Sequence, residues 1–122
     1  MTTSEIGKKL VSLCNDGKAL EAIETLYATD IVSVEAQANP GTGNRESSGL
    51  GACLGKAKFW RDNNEIHKST AQGPFPHGDR FAVVFDFEIT PKASGKRVAM
   101  KEVGVYTVKD GKITREEFFY DM

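Results

Sequence analysis

Apolar residues in the first quarter of the chain recur with a helical period. Ile6, Leu10, Leu13 and Cys14 fall on one face of a 3.6-residue repeat. Thr2 and Glu5 have the spacing of a capping box. Asn15-Asp16-Gly17 ends this helix, because Gly tolerates the left-handed conformation that closes one. A second stripe, Leu20, Ile23, Leu26 and Tyr27, predicts a short helix over about 18–28. Two short helices joined so tightly pack as an αα-hairpin.

The period changes after Asp30. The β-branched run 31–36 predicts a strand. Residues 37–49 are rich in Gly, Ser and Thr and predict a loop, either a binding lid or a surface insertion. Leu54, Ala57 and Trp60 or Arg61 then mark a third helix over 50–64, with Ser47 or Ser48 as its cap. From 65 onward the pattern is that of strands. Alternation is weak over 65–72, and residues 74–79 predict a turn. It is clearest over 80–90, where Phe81, Val83, Phe85, Phe87 and Ile89 occupy every second position. After a loop at 91–95 comes a long strand over 97–109. Asp110-Gly111 is a type I′ hairpin signal, and 112–120 closes the sheet. Three helices gathered at the front and a meander behind them define an α+β protein, with no alternation that would force parallel crossovers. The expected architecture is a cone-shaped α+β barrel, its helices packed on a curved, mostly antiparallel sheet.

Composition narrows the class without naming a chemistry. The chain has 122 residues, the size of one domain, so 1–122 reads as a single unit. Apolar residues at 39% and charged residues at 27% allow a packed core and exclude intrinsic disorder. A formal net charge of −1 offers no basic field for nucleic acid or an anionic membrane. No apolar run is long enough to span a bilayer, and the N-terminus lacks a signal-peptide core, so a cytoplasmic location is expected. Cys14 and Cys53 read as reduced, buried or half-buried thiols. No metal-ligand spacing accompanies them, so no metal and no cofactor are expected.

Two phrases carry a likeness. Leu26-Tyr27-Ala28-Thr29-Asp30 before the first strand, and the ending from Val105-Tyr106-Thr107 to Asp110-Gly111-Lys112-Ile113, resemble the nuclear transport factor 2-like superfamily. Within it the chain is most similar to the SnoaL-like proteins, which include polyketide cyclases, and to ketosteroid isomerase. The resemblance runs from about Glu5 to Tyr120. It implies the cone fold and an interior small-molecule pocket. It implies also that Glu35, five positions after Asp30, stands where the isomerase keeps its general base. Glu102 falls where the isomerase has a protonated carboxyl that donates to the substrate oxyanion. Leu10 stands near the position of the isomerase's helical Tyr, which predicts that steroid isomerisation is slow or absent.

The residues themselves leave alternatives open. Glu35 and Glu102 are either catalytic carboxylates in an apolar cavity, where burial raises their pKa values, or surface carboxylates paired with Lys or Arg. Trp60 is pocket wall or core. His67 is a general base suited to neutral pH or a satisfied partner in the sheet. His77, in the predicted turn, has no role. Phe81 belongs to the core and Phe85 to the pocket lining. Tyr106 donates a hydrogen bond into the cavity, and Phe119 closes it. The strands are apolar on both faces, with Ala82, Val84, Ala99, Val103, Val105 and Phe118 on the second. That predicts a homodimer through the sheet, rimmed by Asp86, Glu88, Lys101 and Arg115. Two functions fit: a metal-free acid–base isomerase, cyclase, lyase or hydrolase acting on an apolar carbonyl-bearing compound, or a non-catalytic ligand-binding or dimerisation module.

Overall fold

The computed structural model describes residues 1–39 and 42–121. Its elements are helices α1 (Thr3–Asn15) and α2 (Ala19–Leu26), strands β1 (Tyr27–Val34) and β2 (Glu46–Ser48), helix α3 (Leu50–Asn63), and strands β3 (Asn64–His77), β4 (Arg80–Pro91), β5 (Val98–Lys109) and β6 (Lys112–Phe119). The six strands form one curved sheet in the order β2-β1-β6-β5-β4-β3. β1 runs parallel to β6 and every other neighbour is antiparallel. The last four strands are the predicted meander, and the whole is the predicted α+β cone.

Helix α1 starts on the predicted capping box. Thr2 Oγ1 accepts from the Glu5 amide at 3.1 Å, and Glu5 Oε1 accepts from the Thr2 amide at 2.9 Å. Its last residue ties it to the sheet. Asn15 Nδ2 donates to the Ala71 carbonyl at 3.0 Å, and the Ala71 amide donates back to Asn15 Oδ1 at 2.8 Å. Ile6 and Leu10 from α1, and Ile23 and Leu26 from α2, bury against Ile31, Phe81, Val83, Tyr106 and Ile113 on the inner face of the sheet. The Asp110-Gly111 turn has positive φ at both residues, 52° and 75°, as a type I′ hairpin requires.

Four local expectations are corrected. β1 begins at Tyr27, four residues before the β-branched run, because Tyr27 fits a helical stripe and a strand face equally well. Part of the expected loop 37–49 is a strand. β2 pairs antiparallel with β1 through Val32↔Ser48 and Val34↔Glu46, while positions 40 and 41 of that segment lie outside the described residues. Ser47 and Ser48 belong to this strand, so neither caps α3. The N-cap is Gly49, with φ 95° and no side-chain cap bond. Finally, 74–77 is not a turn: β3 runs on to His77 across a register shift between Gln72 and Phe75, and the chain reverses at Gly78-Asp79.

Two further bulges reset which side chains face inward. On β3, Ile66 pairs with Ile89 and Lys68 with Glu88, so His67 is the extra residue. On β6, Val108 pairs with Ile113 and Thr107 with Arg115, so Thr114 is the extra residue. An inserted residue switches the two-residue parity of everything that follows.

Candidate functional site

The cone encloses a cavity of about 660 Å³. Phe85 and Phe87 from β4, Trp60 from α3 and Phe118 from β6 form aromatic walls, with Trp60 and Phe87 centroids 5.1 Å apart. Glu35, just past β1, and Glu102 on β5 both line it. Tyr106 lines it at the closed end, only 2% exposed, stacked on Phe81 at 4.9 Å and edge-on to Phe118. Gly104 makes room for this ring, since a Cβ there would sit 2.9 Å from Tyr106 Cε2.

His67 and Phe119 are the two expected site residues that do not reach the cavity. His67 is exposed, and its Nε2 lies 2.7 Å from Thr90 Oγ1 on the neighbouring strand. The bulge at His67 places Ile66 and Ser69 at the cavity instead. Phe119 is 51% exposed, and Phe118 takes the inward position. The Thr114 bulge explains the exchange: counting by twos from buried Ile113 reaches Phe119, whereas the inserted residue turns Glu116 and Phe118 inward. Phe118 therefore leaves the outer apolar face to which its parity had assigned it.

Two charged residues in the site escaped the sequence reading. Glu116 is 3% exposed and accepts three hydrogen bonds: from the Tyr27 hydroxyl, from Ser33 Oγ at 2.6 Å and from Cys53 Sγ at 3.2 Å. Its sequence context, Arg115-Glu116-Glu117, has the look of a solvated strand edge. Lys56 donates to Ser33 Oγ and lies 3.5 Å from Glu35 Oε2. A signal for Lys56 was present. Cys53, Lys56 and Trp60 follow the i, i+3, i+7 spacing of one helix face.

The two expected carboxyls sit in unlike surroundings. Glu35 is paired, but with a lysine inside the cavity rather than on the outer surface. Burial raises its pKa, the Lys56 charge opposes that, and the Glu116 charge adds to it. The Glu102 carboxyl makes no hydrogen bond or ion pair among the described residues. Burial, then the charges of Glu35 and Glu116, push it up to about 7 against a weaker opposing pull from Lys56. Both carboxyls are raised, but only Glu35 has a cation beside it that opposes the rise. Cys14 is also held up, to about 11, by burial and by Glu116, so it is a thiol here rather than a nucleophilic thiolate.

The raised pKa of Glu102 has a measurable consequence. A carboxyl that binds its proton more tightly in the folded state stabilises the fold below the ordinary value of 4.5, and that contribution is lost as pH rises through about 7. Glu102→Gln removes the loss. Urea unfolding at pH 4.5 and pH 8 should show the variant gaining on the wild type by about 3 kcal/mol between the two. An unchanged difference across that range would mean that Glu102 is solvated.

A nuclear transport factor 2-like cone with a carboxyl-lined cavity at its centre is the class that fold and site define together. The chain matches the SnoaL-like domain family over residues 1–120 and belongs to it. A Mesorhizobium loti protein assigned as a SnoaL-like polyketide cyclase is 45% identical and superposes with a TM-score of 0.92, over 98% of this chain and 100% of that one. A Catenulispora acidiphila protein with a ketosteroid isomerase-like fold, crystallised with trimethylamine, is 19% identical with a TM-score of 0.74, covering 99% of this chain and 88% of its own. TerC, co-crystallised with polyporic acid, is also 19% identical with a TM-score of 0.74, over 98% and 91% of the two chains. The last two likenesses are of fold. No curated protein matches the chain.

Proposed function

We propose that this SnoaL-like protein is an acid–base enzyme, an isomerase, cyclase or lyase acting on an apolar carbonyl-bearing compound. One observation carries the reading: Glu35 and Glu102 share a largely apolar cavity but differ in what surrounds them, a lysine beside one and no partner beside the other. In this reading Glu35, as the carboxylate, removes a proton from the carbon next to the carbonyl. Glu102, as the acid, donates to the carbonyl oxygen as negative charge develops there. Returning the proton to another carbon gives isomerisation, attack of the enolate on a second carbonyl gives ring closure, and loss of a β-substituent gives elimination. The volume suits a polycyclic or long aromatic compound, and the aromatic walls supply contact rather than chemistry. That proteins of the same fold were crystallised with polyporic acid and with trimethylamine supports a small-molecule occupant. The test is deuterium exchange. Apolar ketones that raise the melting temperature are incubated with the protein in D₂O, and incorporation beside the carbonyl is followed by NMR. Binding without Glu35-dependent exchange would overturn the catalytic reading.

The outer face of the sheet supports a homodimer. Ala82 pairs with Val105 and Val84 with Val103 across β4 and β5, and Val103 and Phe119 are 36% and 51% exposed beside them. Lys101 and Asp86, 3.6 Å apart, supply part of the expected rim. Two copies packed about a two-fold axis would cover this patch. Light scattering at micromolar concentration should give the mass of two chains, falling to one in Val105→Glu. A monomeric wild type rejects the dimer.

A further inference from the structure

The geometry points to Lys56 as the residue that holds Glu35 as a carboxylate inside the apolar cavity, a positioning residue for the base. Lys56 leaves α3 on the stripe that carries Cys53 and Trp60, and only 17% of its side chain is exposed. Three contacts define its ammonium. It lies 3.5 Å from Glu35 Oε2, it donates to Ser33 Oγ, and it sits 5.6 Å from the centre of the Phe118 ring. Through Ser33, which in turn donates to Glu116 Oε2 at 2.6 Å, one cation is shared between half-buried Glu35 and buried Glu116.

The groups that face the Glu35 carboxyl make the dependence one-sided. Glu102 from β5 and Glu116 from β6 are acids, and Tyr120, just beyond β6, is a phenol. Arg45 reaches Glu35 too, but its Nε donates to the Glu35 carbonyl oxygen at 2.9 Å, away from the carboxyl. Lys18 and Arg61 stand at the exposed mouth of the cavity. Burial and the Glu116 charge favour the neutral acid, and Lys56 is the cation in contact that opposes them. Oε2 of Glu35 is fully buried yet accepts no hydrogen bond, so the ion pair is what compensates its charge. Without Lys56 the remaining influences all push the carboxyl toward its neutral form, in which it is no base.

The consequence for turnover rests on the acid–base reading above, whereas the ionisation of Glu35 does not. The deciding measurement is therefore a carboxyl ¹³C NMR titration, with the Glu35 resonance assigned by its absence in Glu35→Gln. Lys56→Met keeps the aliphatic stem and removes the charge, so a role limited to packing would survive it. Lys56→Gln is read alongside, since its amide can still reach Ser33 if Met is not tolerated. The Glu35 midpoint should rise by about one pH unit or more in both variants. The acid limb of the exchange rate should move with it. A midpoint within about 0.3 unit of the wild type in a folded variant overturns the assignment. A shifted midpoint without any exchange leaves Lys56 in its role and removes the catalytic reading. Glu35-dependent exchange with an unmoved midpoint does the reverse.

Discussion

Glu35→Gln should lower the rate of deuterium exchange into a bound ketone by about 10³-fold, within the range that general-base removal produces, while ligand affinity changes little. The substitution keeps the shape of the side chain and removes only the proton acceptor. Affinity in a cavity of this kind comes mainly from contact with Trp60, Phe85, Phe87 and Phe118, and none of these rests on the Glu35 charge. Folding should also survive. Burial already works against the ionised form of Glu35, and Lys56 keeps its bond to Ser33 when the carboxylate is gone. Rate and affinity are thus expected to separate, with melting temperature as the control. Exchange in the variant within tenfold of the wild type would remove Glu35 as the base. Glu102 would then be the next carboxyl to examine, since its pKa of about 7 leaves part of it ionised at neutral pH.

Glu116→Ala should be strongly destabilising, by about 3 kcal/mol, the scale seen when one member of a buried ionic network is deleted. Glu116 accepts from Tyr27, Ser33 and Cys53, and all three donors lie in the interior. Alanine strands each of them and leaves Lys56 with one fewer acid near it, while water has little access to repair the loss. For a chain of this length the melting temperature should fall by about 10 °C. Glu116→Gln should cost less, because one acceptor oxygen remains. The informative control is the next residue. Glu117 faces outward and pairs with Arg115 at 3.4 Å, both partly exposed. Glu117→Ala should therefore stay within about 0.5 kcal/mol of the wild type. Equal losses at 116 and 117 would mean that the inward turn of β6 is wrong.

That contrast between neighbours marks where the sequence stops being legible. The helices, the strongly alternating strand at Arg80–Pro91 and the Asp110-Gly111 hairpin announce themselves, because local period and turn chemistry agree with the final fold. Glu35 and Glu102 were reached from the resemblance to the isomerase, and both reach the cavity. Phe119 was not placed correctly, because it follows a bulge and parity does not survive an inserted residue, and His67, the extra residue of another bulge, is the hydrogen-bonded sheet partner rather than the base. β2 escaped for a different reason. A three-residue strand of Glu and Ser has no hydrophobic signature, and it exists because β1 offers an unpaired edge.

What the sequence determined by itself is the class of fold, the inner faces of its regular elements and two acidic positions worth testing. The fold class and the inner faces follow from short-range physics, the 3.6 and 2.0 periods and the conformational freedom of Gly, which a chain carries wherever it is placed, whereas the two acids follow from the resemblance to the isomerase. Only the tertiary structure decided which acids are buried together and in what state. Lys56 comes from α3, Glu35 from the end of β1, Glu102 from β5 and Glu116 from β6. The pKa values of Glu35 and Glu102 depend on desolvation and on charges brought near from 14 to 81 positions away along the chain. Proximity of that kind has no local signature, because it is created by the parallel pairing of β1 with β6 and by one inserted residue at Thr114.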